Sequence, residues 1–251
     1  MIAPLPAAWH GSPGGGAVVL ANSLGARQGS WREVIERIGD RAHVLTFDLP
    51  GHARAEPAPF GFDDMAGAVV ALLEERGVRD AVLCGVSLGG ALAVAVAARR
   101  PDLVRGLVTV NAPLRQGSPG FWRERADRVE TDGLDALADD LPSRWFGPGA
   151  DPARVAELVA EFRALPPTGY AQACRAIADL DLERDARAVA SPAVVVSGTD
   201  DVAVSPAQAE EYARLLPRAE AVVVPGAAHL LPVERPDVVA DAILSLPVGM
   251  R

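Results

Sequence analysis

Six short apolar runs, separated by longer amphipathic stretches, constrain the fold of this 251-residue chain more than any other feature. The runs are rich in Val, Leu and Ala and do not alternate with polar residues, which is typical of parallel strands buried on both faces. Parallel strands need helical crossovers, so the chain is predicted to form an α/β fold with a mostly parallel sheet flanked by helices. The predicted strands are 17–21, 43–47, 81–86, 106–110, 193–198 and 221–225.

Helix start signals occur in the stretches between these runs. Ser30 and Glu33 form a predicted capping box, in which each residue satisfies a backbone N–H of the first helical turn. Ser205 followed by Pro206 predicts another helix start, because proline fits the first helical position.

The run at 81–86 leads into Gly85-Val86-Ser87-Leu88-Gly89-Gly90, a G-x-S-x-G pattern between a predicted strand and a predicted helix. A serine there must lie on a sharp turn, and the flanking glycines remove side chains that would collide. The helix N-terminus directs backbone N–H groups at the serine, where they can stabilise developing negative charge. Ser87 is therefore the candidate nucleophile, with an ordinary Gly/Ser turn as the alternative interpretation.

A serine nucleophile needs a histidine base, and the chain has four histidines. His229 follows the apolar run at 221–225 and is the candidate base, because a loop at a strand end can bring it over a serine. His43 opens a strand and His52 lies in a glycine turn, so both are expected to be structural or solvated. His10 is expected near a frayed terminus.

The orienting acid is expected at another strand end, where Asp200 and Asp201 follow the run at 193–198. The spacing of Gly198, Asp201 and Pro206 is similar to the G-x-x-D-x-x-x-x-P pattern of α/β-hydrolases and favours Asp201. Asp200 would then be a turn or capping residue. The resulting chain order of serine, aspartate and histidine is the order that these hydrolases use.

Every candidate functional residue comes just after a predicted strand. Open α/β sheets bind their ligands at the carboxyl edge of the strands, so these residues are expected to meet at one edge. The residues are Asn22-Ser23-Leu24, Asp48, Ser87, Asp201 and His229.

Residues 114–190 interrupt the alternation of strands and helices. They contain helical stretches, much of the tryptophan and several other aromatic residues, but no strand-like run. We expect a helical cap (lid) over Ser87, inserted into an α/β-hydrolase core formed by residues 1–113 and 191–251. Ordinary surface helices packed on the core are the alternative.

Composition argues against several kinds of partner. The net charge is −9 and the 24 basic residues, all arginine, form no basic block, so no nucleic-acid or membrane partner is expected. No metal-binding motif occurs and no cofactor is expected. The two cysteines do not form a disulfide framework. Without a signal peptide or a spanning segment, a soluble, cytoplasmic protein is expected.

The chain resembles a known family, the 3-oxoadipate enol-lactonases among the α/β-hydrolases. The similarity extends over most of the chain from Ala21 onward. The motif at Asn22 to Gly25 and the motifs within 114–190 are more specific to this family than the motif around Ser87. The matching segments are Asn22-Ser23-Leu24-Gly25, Cys84 to Gly90, Trp122 with Arg125, Arg144-Trp145-Phe146, Gly169 to Cys174, and Ala228-His229-Leu230.

The chain departs from the family pattern in two places. Gly51-His52-Ala53-Arg54-Ala55 replaces the family's G-H-G-x-S, so this loop is expected to turn differently. About 16 residues precede the first clear strand, so one member of the usual opening hairpin is expected to be absent.

The resemblance implies acyl transfer to water by Ser87, Asp201 and His229, with an oxyanion hole formed by the backbone N–H groups of Leu24 and Leu88. It implies a small lactone carrying a carboxylate, with 3-oxoadipate enol-lactone as the first candidate. The implied substrate-binding residues are Ser23, Arg125, Arg144 and Trp145. The oligomeric state stays open.

Two alternatives remain at this stage. The first is a carboxylesterase or lactonase that acts on a different, biosynthetic ester with the same three residues. The second is a relative that binds a small molecule without turning it over. The intact serine, aspartate and histidine argue against the second alternative.

Overall fold

The computed structural model describes residues 2–53, 58–116 and 118–248. In these residues one seven-stranded sheet forms the centre of the fold, in the order β1-β3-β2-β4-β5-β6-β7. All neighbouring pairs are parallel except β1 and β3, which are antiparallel. The expected α/β-hydrolase architecture is therefore confirmed. The strands are β1 (Ala7–Gly11), β2 (Gly16–Ala21), β3 (Ala42–Phe47), β4 (Ala81–Val86), β5 (Val104–Val110), β6 (Ala193–Gly198) and β7 (Ala219–Val224).

Helices cover both faces of the sheet, and the central strands β4 and β6 are buried along their whole length. A 3₁₀ turn at Gln28–Trp31 precedes the first helix. The helices are α1 (Arg32–Ile38), α2 (Phe62–Glu75), α3 (Leu88–Arg99), α4 (Pro119–Asp132), α5 (Asp135–Ala138), α6 (Leu141–Trp145), α7 (Pro152–Arg163), α8 (Pro167–Ile177), α9 (Glu183–Ala188), α10 (Pro206–Leu215), α11 (Leu231–Glu234) and α12 (Pro236–Ser245).

Local signals predicted one helix start correctly and another wrongly. Ser205 caps α10, since its hydroxyl accepts the Gln208 N–H while the Gln208 side chain reaches back to the Ser205 N–H. The capping box at Ser30 is wrong, because the Ser30 hydroxyl donates to the Arg27 carbonyl within the 3₁₀ turn.

The edge strand β1 is not among the predicted strands. It pairs with β3, and His10 within it contacts Thr46 Oγ1 through Nε2 at 2.9 Å, so the expectation of a frayed terminus there is wrong. The departure from the family pattern at Arg54 and Ala55 lies outside the described residues.

The chain between β5 and β6 leaves the sheet and returns through a narrow neck. The backbones of Arg115 and Asp181 form an isolated antiparallel β-bridge. The Leu182 N–H donates to the Leu114 carbonyl, and the Gln116 N–H donates to the Leu180 carbonyl. We call α4 to α8, which lie beyond this neck, the cap helices, whereas α9 contacts the core helices α3 and α10. None of the described helices is long and apolar enough to cross a membrane.

Candidate active site

Ser87 lies on the sharp turn between β4 and α3, with φ 52° and ψ −117°. This left-handed conformation is strained for a residue with a side chain and is typical of functional sites. Gly85 and Gly89 make the turn possible, because a Cβ on either would collide with neighbouring backbone. The Ser87 N–H donates to the Val110 carbonyl at 2.9 Å. The N–H groups that follow, beginning with that of Leu88, lie in the first turn of α3, where a helix leaves its N–H groups without intrahelical acceptors.

The segment from Asn22 to Gly25, which we call the oxyanion loop, follows β2. The Asn22 side chain is buried, donates to the Phe47 carbonyl and accepts from the Trp31 indole, both at 2.9 Å. Gly25 has φ +86°, and Ala26 N–H closes a turn onto the Ser23 carbonyl. The Leu24 N–H has no hydrogen-bond acceptor among the described residues.

Asp48, predicted to lie at the same edge, does not line the cavity between the core and the cap. Its buried carboxylate accepts from the Arg27 guanidinium and from the Gln28 N–H. The hydrogen bond to Asp48 raises the pKa of Arg27, and the two bonds together fix the chain just after the oxyanion loop. Asn22 and Asp48 therefore shape the site without touching a ligand.

His229 follows β7 and hydrogen-bonds through Nδ1 to Asp201 Oδ2 at 2.9 Å. Both side chains are almost fully buried, and Asp201 Oδ1 also accepts the Ala203 N–H. Asp200 is exposed and accepts the Thr199 hydroxyl instead. The contact at Nδ1 leaves Nε2 as the histidine nitrogen available for proton transfer.

Two polar residues to which sequence reasoning gave no role hold the loop of His229. Asn111, at the end of β5, donates to the carbonyls of Ala228 and His229 and accepts the Gly198 N–H. Glu234 accepts the N–H groups of Ala228 and Gly147, and so ties this loop to the end of α6. Burial raises the pKa of the Glu234 carboxyl.

A cavity of about 370 Å³ lies between the core and the cap helices and is lined by both Ser87 and His229. Cap residues from α4, α6 and α8 form much of its wall. Its lining is Ser23, Leu24, Ser87, Pro113, Arg115, Gln116, Ser118, Phe121, Trp122, Arg125, Leu141, Arg144, Trp145, Tyr170, Val202, Ala203, Val204, Gln208 and His229.

The charged side chains of this lining, other than the histidine, are all arginines. Arg125 donates through Nε to the Tyr170 hydroxyl at 2.8 Å, and Arg144 lies 5.9 Å from the centre of the Phe121 ring. Arg115 is exposed at the neck. None of the three has a carboxylate partner among the described residues, although most of the arginines that the structure describes do. The cavity therefore favours an anionic ligand.

The predicted binding residues Ser23, Arg125, Arg144 and Trp145 all line this cavity. Sequence reasoning missed Arg115 and Gln208 among other lining residues, since nothing in their local pattern sets them apart. His52 is buried, so solvation, one of its two expected roles, is wrong. In the described part of the chain, no group of three or more His, Cys, Asp or Glu residues could hold a metal ion.

Residues 10–236 match the family described as the alpha/beta hydrolase fold. Because this match covers most of the chain and agrees with the sheet order and the serine turn, the chain belongs to the α/β-hydrolase fold family.

Within that fold, the predicted resemblance to 3-oxoadipate enol-lactonases is confirmed. The chain is 28% identical over 232 residues to 3-oxoadipate enol-lactonase 2 of Acinetobacter baylyi, covering 90% of this chain and 86% of that protein. It is 33% identical to the enol-lactonase of Burkholderia xenovorans LB400, with a TM-score of 0.89 and coverage of 96% and 95%. An esterase from Thermogutta terrifontis with malate bound is 27% identical, with a TM-score of 0.88 and coverage of 96% and 92%.

Proposed function

We propose that this chain is a serine hydrolase that opens a small carboxylate-bearing lactone, with 3-oxoadipate enol-lactone as the first candidate. The observation that carries the proposal is that one cavity is lined by Ser87, by His229 with Asp201 bonded behind it, and by arginines that have no carboxylate partner among the described residues. A nucleophile and a base on one side, with positive charge on the other, suit an ester that carries an anionic group.

Acylation begins when the Ser87 hydroxyl attacks the lactone carbonyl and His229 Nε2 takes its proton. Asp201, bonded to Nδ1, keeps the ring in the required tautomer and stabilises the imidazolium that forms. The negative charge on the former carbonyl oxygen is stabilised by the N–H groups of Leu24 and Leu88, which are backbone donors and need no particular side chain.

The ester bond to the ring oxygen then breaks, and the proton on His229 passes to that oxygen. In an enol-lactone the leaving group is an enol, which departs more readily than the amine of an amide. The ring opens without releasing a fragment, so the whole acyl chain remains attached to Ser87. His229 next activates a water molecule, which hydrolyses the acyl-serine and restores the free serine.

Recognition of the carboxylate falls to Arg125 and Arg144 of the cap helices. A guanidinium and a carboxylate form two parallel charge-assisted hydrogen bonds, which fix orientation as well as position. Trp145 contributes a buried apolar surface beside them. The enol-lactonase relatives support this substrate class, and the malate bound to the related esterase is itself a carboxylate ligand.

A carboxylesterase acting on another small ester is the second candidate. The likeness to the Thermogutta terrifontis esterase favours it, because an esterase has nearly the same fold over almost the whole chain. The two candidates share the mechanism at Ser87 and differ only in what the cap helices recognise.

The test is a panel of carboxylated lactones, neutral lactones, neutral aryl esters and neutral long-chain esters, assayed by hydrolysis. A serine-directed phosphonate, with peptide mapping, reports in parallel whether Ser87 is reactive. Highest kcat/KM on carboxylated lactones supports the enol-lactonase proposal, whereas neutral long-chain esters as better substrates would contradict it. An unlabelled Ser87 without turnover would instead favour the non-catalytic alternative.

A further inference from the structure

His52 lies directly behind the oxyanion loop, in the loop that follows β3. Its side chain is only 1% exposed and is not part of the cavity lining, so it does not contact a ligand there. It is therefore a buried titratable group that the proposed mechanism does not use. Its two ring nitrogens nevertheless make specific contacts.

One neutral tautomer of His52 satisfies both contacts. The Gly25 N–H donates to Nε2 at 2.9 Å, so Nε2 must carry the lone pair. Nδ1 lies 3.1 Å from the Pro50 carbonyl and must therefore carry the proton. Either the other tautomer or the charged ring would place a second N–H against the Gly25 N–H.

The contact at Gly25 bears on the Leu24 N–H. The Gly25 N–H belongs to the peptide plane that joins Leu24 to Gly25, and φ +86° at Gly25 gives that plane an orientation favourable mainly to glycine. Fixing this plane limits the rotation of Leu24, whose own N–H has no acceptor among the described residues. The orientation of Leu24 thus depends on a bond made one residue later.

The other side of Gly25 is closed by the cap helices. A Cβ on Gly25 would lie 3.0 Å from the Phe162 ring and 3.3 Å from the Trp145 ring. These two aromatic rings limit the position of the loop, but neither has a lone pair that could accept a hydrogen bond from the Gly25 N–H. The His52 acceptor is thus what selects the direction of the Gly25 N–H.

We propose that His52 is a positioning residue for this reaction: its Nε2 lone pair holds the Gly25 N–H and so aims the Leu24 N–H at the oxyanion. The inference rests on the proposed serine-hydrolase function. His52 acts through the backbone and not on the substrate, so its loss should affect turnover more than binding.

Burial supports the neutral form of the ring. It lowers the pKa of His52 to about 4, against the opposing effect of the Pro50 carbonyl and the Asp48 carboxylate, and the Arg27 guanidinium lowers it further. The acceptor is thus present throughout the pH range of an ordinary assay.

The test compares His52→Gln with His52→Asn on a hydrolysed aryl ester and a hydrolysed lactone. Both variants carry an amide, but only the longer glutamine can bring an oxygen to the place of Nε2. His52→Leu repeats the comparison with a side chain that fills space and has no acceptor. His43→Gln is the control. The His43 ring, in β3, stacks on the ring of Trp9 in β1 with the ring centres 3.9 Å apart. Circular dichroism checks that each variant is folded.

We expect kcat to fall about 10- to 100-fold in the Asn and Leu variants, less than for outright removal of an oxyanion donor, with KM nearly unchanged. The Gln variant should recover most of kcat, and His43→Gln should match the wild type. Equal kcat in the Gln variant and a folded Asn or Leu variant would overturn the inference, as would a change confined to KM. A wild-type chain without turnover or Ser87 labelling would overturn the proposed function, and this inference with it.

Discussion

The two sides of the cavity are held in different ways. On the core side, the His229 ring is bonded to Asp201, and Asn111 and Glu234 hold the backbone of its loop. On the cap side, Arg144 rests on an aromatic ring and Arg125 bonds to a tyrosine hydroxyl, without a carboxylate partner among the described residues. The core side thus holds the proposed catalytic groups in a fixed geometry, whereas the cap side leaves positive charge available to a ligand.

This difference implies that substitutions on the two sides should separate turnover from binding. Preorganised groups act when charge develops in the transition state, so their loss lowers kcat. Groups that bind the substrate and the transition state equally raise KM when they are lost. Four substitutions or conditions test this separation.

The largest effect is expected for Ser87→Ala, which removes the proposed nucleophile. Loss of one member of a catalytic triad commonly lowers the rate by about 10³- to 10⁶-fold, and here the binding of a carboxylated product should persist. Steady-state hydrolysis and equilibrium binding of the product measure the two quantities. Ser143→Ala, on the exposed side of α6, is the matched control. Hydrolysis within tenfold of the wild type would contradict a serine mechanism.

The next effect is expected for Asp201→Asn. The asparagine amide favours the wrong tautomer of His229, and the same change in a well-studied triad lowers kcat by about 10⁴-fold. Asp200→Asn is the control, because that carboxylate is exposed and bonded to Thr199. If kinetics ranked the two variants in the opposite order, the wrong aspartate would have been chosen.

On the cap side, Arg144→Ala should act on KM. Loss of a charge-assisted hydrogen bond costs about 1.5–3 kcal/mol, so KM for an anionic lactone should rise about 10- to 150-fold while kcat stays similar. KM for a neutral ester should change little, and comparing the two substrates measures the effect of charge alone.

Arg128→Ala is the control for that experiment, since Arg128 is exposed on α4, outside the cavity lining, and bonds to the Ala136 carbonyl. It should leave both values of KM unchanged. Equal increases in KM for the anionic and the neutral substrate would show that Arg144 supports the cap and does not bind a carboxylate.

The smallest effect is on stability. The free energy of unfolding should depend on pH through His52 on the core side but not through the arginines on the cap side. Burial keeps His52 neutral with a pKa of about 4, whereas the unfolded chain binds a proton below about 6.5. Stability from this group is therefore complete above pH 6.5 and falls as the pH decreases towards 4. Between pH 7 and pH 5 the free energy of unfolding should fall by about 2 kcal/mol more in the wild type than in His52→Gln.

Urea unfolding at several pH values measures this difference. The Asp48 carboxylate raises the pKa of His52 and the Arg27 guanidinium lowers it, so Arg27→Gln separates the influence of the guanidinium from that of burial. The same pH dependence in the wild type and in His52→Gln would show that the ring is not held neutral. The arginines of the cap side keep their charge over this range and should contribute no slope.

The elements of this fold that could be predicted are those specified by local pattern. A continuous apolar run predicts a buried parallel strand, and glycines on both sides of Ser87 predict a sharp turn. Ser205 caps α10 because every partner it needs lies within three residues. These features depend on no distant part of the chain.

The features that were missed depend on tertiary contacts. The edge strand β1 is half-buried and its apolar run is only three residues long, 7–9, so its pairing with β3 is what defines it. Ser30 has Glu33 three positions later, as a capping box requires, but its hydroxyl donates to the Arg27 carbonyl instead. Asn111 and Glu234 are ordinary polar residues in the sequence, and their partners across the site become visible only in the fold.

The contact between Gly51 and Gly169 has a consequence for the exchange of cap helices between relatives. A Cβ on either glycine would collide with the backbone of the other, so the loop that carries His52 touches α8 main chain to main chain. At this point the separation between the core and the cap helices is limited only by the contact of backbone atoms. A cap grafted from another hydrolase would need a glycine at position 169, because a side chain there would push the cap away from the core. New specificities should therefore arise most easily by substitution within the existing cap.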